Sequence, residues 1–311
     1  MNARFGDGAL AGALGRQMAI PVIVAPMFLV SSVELVVEAC RAGIVGSMPT
    51  LNARTPAILD EWLRRIGDGL KGQDVPPYAM NIIAHTSNAR FDEDFDVVVN
   101  HRVPLVISSV GNPSRVVGRV RSYGGHVLAD VASVRHARRA VEAGVDGLIL
   151  LCAGAGGHTG WLNPFSFVEE VRSFFDGPIA LAGGLSNGRQ VKTLRALGVD
   201  FAFMGTRFLA AEESQANPVY RQMVIDCGAD DIVLTSEVSG MPANMLRPSL
   251  ERFGADGKRP PPEKFEVSSD HEQRAWRDVW GAGHGVGSVK KVERLREIVA
   301  RLEAEFANAT S

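Results

Sequence analysis

The stretch VRHARRAVEAGVDGLILLC, residues 134–152, decides the fold. Val134–Ala143 reads as an amphipathic helix, with apolar and charged positions at helical spacing. Gly144 then supplies the left-handed conformation that a helix end needs. Gly147–Cys152 is a short apolar run of the kind that forms a strand buried on both faces. The junction returns downstream: Ala143-Gly144-Val145-Asp146 is matched by Leu197-Gly198-Val199-Asp200, about 54 residues on, or two units of about 27.

Upstream of this stretch the same unit repeats. Strand Val22–Met27 precedes a helix over Val33–Arg41, ended by Gly43. Strand Ile44–Met48 precedes a helix over Pro56–Ile66, with Thr55 as its N-cap. Strand Tyr78–Ile83 leads to a helix near Glu93–His101, Leu105–Val110 to a helix from Pro113, and Val127–Val131 to the helix already quoted. Downstream, Gly147–Cys152 is followed by a glycine-rich loop and a helix over Phe165–Phe175. Ile179–Ala182 is followed by a helix over Gly188–Leu197, and Phe201–Met204 by a turn and a helix from Pro218. Eight strand–helix units in about 205 residues predict an α/β protein, a (β/α)8 TIM barrel rather than an open doubly wound sheet. The rhythm stops near Asp230. Met241-Pro242, Arg247-Pro248 and Arg259-Pro260-Pro261-Pro262 mark an irregular stretch, and Val289–Phe306 reads as a charged amphipathic terminal helix. The expected division is a barrel over 1–229 and a C-terminal extension over 230–311 that folds over the barrel. The extension has too few apolar residues for a core of its own.

Composition excludes several classes. The chain has 311 residues, 46% of them apolar, and a net charge of −2 with no long Lys or Arg block. No nucleic-acid or polybasic membrane surface is expected. Cys40, Cys152 and Cys227 lack metal-ligand spacing and read as reduced buried thiols, so no metal site is expected. Met18–Val33 is apolar but broken by Pro21 and Pro26, too short for a membrane span and without a cleavage site. A cytoplasmic location is therefore expected.

In such a barrel the chemistry lies at the carboxyl ends of the strands. Those ends read Ala25-Pro26-Met27, Ser47-Met48, Asn81, Ser108-Ser109, Asp130, Cys152 through Gly160, Gly183-Gly184 and Gly205-Thr206. Glycines after the last two strands stand where barrels bind phosphate, with backbone N–H groups available to a dianion. The sixth loop, Cys152-Ala153-Gly154-Ala155-Gly156-Gly157-His158-Thr159-Gly160, has no bulky side chain to bury its histidine. His158 should therefore face the pocket mouth as a group able to exchange a proton near neutral pH. Arg207 either contacts phosphate or forms an ion pair in the barrel wall. His85, His101, His126 and His136 read as surface residues, Glu212-Glu213 and Asp230-Asp231 as solvated pairs, and His284 as a second pocket candidate.

Ala25-Pro26-Met27, the Gly-Gly-His-Thr-Gly loop, Ala182-Gly183-Gly184 and Met204-Gly205-Thr206-Arg207-Phe208 together resemble the nitronate monooxygenase (2-nitropropane dioxygenase) family. So do Pro242-Ala243-Asn244, Leu246–Leu250 and Gly283–Gly287. The likeness runs from about residue 18 to the end, and it is the order and spacing of the motifs that carry it. The resemblance implies FMN in the barrel mouth. Ala25, Pro26 and Met27 would lie along the isoalloxazine ring and Asn81 would hydrogen-bond near it. Gly183, Gly184, Gly205 and Thr206 would hold the phosphate. Gly156, Gly157 and Asp130 would complete the cofactor site, with His158 as the catalytic histidine. Asp130 departs from the pattern, since several relatives have Lys or Gln near that position. The implied reaction oxidises an alkyl nitronate or nitroalkane with molecular oxygen to a carbonyl compound and nitrite. The implied partners are that small-molecule substrate and oxygen, and a homodimer is compatible.

Three other readings compete. An NAD(P)H-dependent flavin reductase, of the enoyl-acyl-carrier-protein or quinone type, shares the scaffold and the glycine–histidine loop. Gly184-Leu185-Ser186-Asn187-Gly188 matches the G-x-S-x-G elbow of serine hydrolases, with Asp200 or Asp226 and then His271 in chain order, but a barrel is the wrong frame for it. A flavin- or phosphate-binding module without turnover is the third. A dinucleotide fingerprint fails, because Thr159 stands where Gly154-Ala155-Gly156 would need its third glycine.

Overall fold

A computed structural model describes residues 18–255, 267 and 276–309. The Arg259–Pro262 stretch and His271 lie outside the described residues. Eight parallel strands form the sheet: β1 (Val22–Val24), β2 (Ser47–Pro49), β3 (Ala79–Ile83), β4 (Leu105–Ser109), β5 (His126–Val131), β6 (Gly147–Leu151), and, after the short β7 (Gly157–His158), β8 (Ile179–Ala182) and β9 (Phe201–Met204). Each pairs with its sequence neighbour in the ring, and β9 pairs with β1. The ring closes where Val24 N–H donates to Val45 O at 2.9 Å and Val45 N–H to Val22 O at 3.1 Å. The protein is a (β/α)8 TIM barrel.

Why the strands read as unbroken apolar runs is now plain. One set of side chains, among them Ile23, Leu105, Ile107, Leu128, Ile149, Phe201 and Phe203, fills the barrel interior. The other packs outward against the helices. The helices start where side chains can take up free backbone N–H groups. Ser32, Thr55 and Ser133 cap α1 (Val33–Arg41), α2 (Pro56–Leu70) and α5 (Val134–Glu142). Asn163 caps α6 (Pro164–Arg172), and a capping box of Asn187 and Gln190 opens α7 (Gly188–Thr193). Between α2 and α5 lie α3 (Phe91–Asn100) and α4 (Ser114–Ser122).

The helix that completes the ring is not the one expected. The helix from Pro218 is present as α8 (Pro218–Asp226), but it packs chiefly on the segment His284–Ser288. The eighth place, between α7 and α1, is filled by the terminal helix α10 (Leu295–Asn308). Gly188 makes this docking possible: a Cβ there would lie 1.9 Å from Leu302 O. Glu305 Oε2 also accepts the Gly188 N–H at 2.8 Å. The terminal helix begins at Leu295 rather than Val289, because residues 289–294 run along the end of the barrel. There Glu293 bridges to Ala211, and Val289 is buried.

Between α8 and α10 the chain crosses the barrel mouth. β10 (Ile232–Thr235) and β11 (Ala243–Leu246), followed by the short α9 (Arg247–Arg252), join β7 in an antiparallel sheet. The glycine-rich loop expected after the sixth strand is therefore stitched to the extension, with His158 opposite Ala243 and Gly157 opposite Asn244.

Candidate active site

A cavity of about 310 Å³ opens at the carboxyl rim, under this small sheet. All twelve residues singled out from the sequence line it: Ala25, Pro26, Met27, Asn81, Asp130, Gly156, Gly157, His158, Gly183, Gly184, Gly205 and Thr206. They come from six strand ends, and the barrel gathers them.

On the side of the last two strands the wall is backbone. Gly183 and Gly184 have φ of +138° and +70°, a region in which a side chain would be strained. A Cβ at Gly184 would meet nothing within 4 Å, so this glycine faces open space. Thr206 Oγ1 accepts the Gly283 N–H at 2.8 Å, which leaves the hydroxyl proton of Thr206 to donate elsewhere. Gly283 and Gly285 add to the same wall. No lysine or arginine lines the cavity among the described residues. Arg207 is held by the buried carboxylate of Glu293 at 3.0 Å, which resolves its two readings in favour of the ion pair.

The opposite side is polar and connected. Asn81 Nδ2 donates to Ser109 Oγ at 2.6 Å and to Ile107 O at 3.1 Å. The Ser109 hydroxyl donates in turn to Asp130 Oδ2. Burial pushes the Asp130 carboxyl up to about 6, against the opposing effect of hydrogen bonds from Ser109 and the Val110 backbone. Val110 has φ of +44°, rare for a β-branched residue.

His158 is not at an open mouth, as the small residues around it suggest. The extension covers it. Nε2 lies 3.0 Å from Ser239 Oγ, and the edge of the imidazole meets Trp276, with centroids 4.8 Å apart and planes at 89°. Burial lowers its pKa to about 4, so the ring is neutral at pH 7. A neutral imidazole in an apolar chamber can accept a proton.

Sequence reasoning missed the roof and the clamps. Trp276, Val279, Trp280 and Tyr220 line the cavity. Tyr220 stacks on Trp280 and donates its hydroxyl to Gly281 O. Trp276, Val279 and Trp280 lie in a segment without a periodic pattern, and Tyr220 lies on the expected helix from Pro218, where nothing local shows that it faces the cavity. In Gly283–Gly287, Gly283 and Gly285 reach the cavity, whereas His284 is exposed and packs against Gly154. Asn52 was also missed. Its side chain takes the Leu29 N–H at 2.9 Å and donates to Met27 O at 3.2 Å and Ser31 O at 2.8 Å, fixing the loop that bears Pro26 and Met27. Of the hydrolase reading, His271 lies outside the described residues and the others are engaged elsewhere, Asp226 accepting from Gln222 at 2.8 Å. The Ser186 hydroxyl is bonded to Gln190 at 3.2 Å, and Asp200 is paired with Arg172 at 2.9 Å. Cys40, Cys152 and Cys227 are free and buried, and no cluster of potential metal ligands occurs among the described residues. No described helix is long and apolar enough to cross a membrane.

The barrel with its rim chamber and the family comparison define the class: an oxidoreductase. The sequence profile of nitronate monooxygenase matches residues 71–259, and the chain belongs to the nitronate monooxygenase family. It is 25% identical to a nitronate monooxygenase of Paraburkholderia phytofirmans over 92% of both chains. It is 28% identical to a Mycobacterium tuberculosis protein named as a monooxygenase, over 71% of this chain but only 64% of that one. The structure of a nitroalkane oxidase from Streptomyces ansochromogenes superposes with a TM-score of 0.82 at 24% identity, covering 95% of this chain and 98% of that one. This last likeness bears on the fold.

Proposed function

We propose that this chain binds FMN in the rim cavity and oxidises alkyl nitronates or nitroalkanes with oxygen, giving a carbonyl compound and nitrite. The observation that carries the proposal is the half-buried imidazole of His158, bonded to Ser239 and facing the same chamber as the glycine wall. The residues present fit the cofactor. Gly183, Gly184, Gly205 and Thr206 would hold the phosphate through backbone N–H groups and one hydroxyl, with Gly184 facing open cavity space. Ala25, Pro26 and Met27 would lie along the ring, with Asn81 and Asp130 at its polar side. When bound, FMN would supply the two-electron redox chemistry.

The protein's own part is orientation and proton handling. His158 accepts the α-proton of a neutral nitroalkane, and Ser239 and Trp276 hold the imidazole for that task. The apolar roof of Val279 and Trp280 keeps water from the reacting carbon.

The test is an anaerobic mixing experiment with the FMN-loaded protein. Nitronate bleaches the flavin within the turnover time, whereas NADH and NADPH do so far more slowly. Rapid bleaching by a nicotinamide and none by nitronate would transfer the protein to the reductase reading. In His158→Ala the flavin stays bound and turnover of neutral nitroalkane falls by about 10²–10⁴.

A further inference from the structure

Asp130 is the only carboxylate among the described residues that line the cavity, and no lysine or arginine faces it there. The other titratable lining groups are His158 and Tyr220, and burial keeps both neutral at pH 7. The elements beside Asp130 offer no countercharge either. From β4 come Ser109 and the backbone of Val110, and at the end of β6 the Cys152 thiol is held neutral by burial, its pKa near 12. The charged side chains of α5, Arg135, Arg138, Arg139 and Glu142, are exposed on the outside of the barrel.

The carboxylate is nevertheless built in. The hydrogen-bond chain Asn81–Ser109–Asp130 fixes it from one side. On the other, Val110 adopts a left-handed backbone conformation that strains a β-branched residue and delivers its N–H to the same carboxylate. Gly111, at φ +145°, lets the chain pass this close, since a Cβ there would sit 2.5 Å from Ala84 C.

Resting on the flavin reading above, we propose that Asp130 is the proton acceptor coupled to reduction of the bound flavin. Two electrons and one proton added to the ring leave it with one more negative charge. No cation among the described residues lines the chamber, so that charge and an ionised Asp130 repel each other strongly. The pair is relieved by a second proton on the carboxylate. Oxidised flavin, the Asp130 carboxylate, two electrons and two protons thus become the reduced, singly protonated ring and the neutral Asp130 acid, with charge and atoms balanced. The electrons come from the nitronate in turnover or from an electrode in the test. Burial, which pushes the carboxyl up to about 6, favours the neutral acid in the same direction.

The experiment is potentiometry of the FMN-loaded full chain across roughly pH 7–8.5, where an unperturbed carboxyl is ionised, read as protons taken up per electron pair. The wild type takes up two and Asp130→Asn one. In parallel, the reduced-minus-oxidised infrared spectrum of the wild type gains a protonated-carboxyl band. This second measurement needs no variant and decides the matter if Asp130→Asn does not fold. One proton per pair in the wild type, equal counts in both proteins, or no new carboxyl band would overturn the role of Asp130 while leaving flavin binding intact. A wild type that takes up no flavin would overturn both readings.

Discussion

At the scale of the residue, one force sets the two groups proposed for proton handling. Burial disfavours charge, so it lowers the imidazole of His158 to about 4 and raises the carboxyl of Asp130 to about 6. For His158 the consequence for rate has a definite sign. The base form persists from neutral pH down to about 4, so kcat/KM with a nitroalkane kept neutral is not lost near 6.5, where an ordinary histidine titrates. A profile with a fall near 6.5 that persists in Asp130→Asn would contradict the half-buried, neutral imidazole. Stability carries the same signature. An unfolded chain protonates its histidine near 6.5 and the folded one near 4, so the folded state loses stability as pH drops through that window. His158→Asn removes this part of the acid sensitivity, measurable as a smaller shift in urea midpoint between about pH 6.5 and pH 4.

At the scale of the element, the loop after β1 and the terminal helix show how distant pieces hold the chamber. Asn52 fixes the backbone at Met27, Leu29 and Ser31, including Leu29 at φ +59°. Asn52→Ala removes three buried or half-buried hydrogen bonds, costs about 2–3 kcal/mol in urea unfolding and weakens FMN binding at least several-fold. Unchanged FMN affinity would mean the loop needs no clamp. The terminal helix is tied by Glu293, which takes Arg207 from the barrel and Arg301 from α10. Burial alone would raise the Glu293 carboxyl, but the hydrogen bonds from Arg301 and Arg207 outweigh it and hold it below the usual range. Its contribution is thus present at neutral pH and lost as pH falls through that lowered pKa. Glu293→Gln strands Arg207 without its charge partner and lowers stability by about 3 kcal/mol at neutral pH. The helix that closes the ring was legible as a helix but not as a barrel member. Nothing local in Leu295–Asn308 says that it meets Gly188, more than a hundred residues earlier.

At the scale of the whole molecule, the barrel was legible because its signal is local and repeated. Each strand is a buried apolar run, and each capping residue stands one step before its helix. The rim residues were legible for the same reason, since a strand end can be found without knowing its neighbours. The roof was not, because Ser239, Trp276 and Trp280 lie in a stretch without period and reach the chamber through long-range contacts such as Ala243 opposite His158. That roof turned the expected open histidine into a half-buried one, and the loss of water around it favours its neutral form. The central claim is that the ring assembles the scattered rim glycines into a phosphate seat with His158 across the same chamber. Crystals grown with FMN test it most directly. In those crystals the phosphate lies within hydrogen-bonding distance of the Gly183, Gly184 and Gly205 backbone, the ring lies against Ala25–Met27, and the His158 imidazole lies over its face. A phosphate seated elsewhere, or protein that stays colourless in excess FMN, would contradict it.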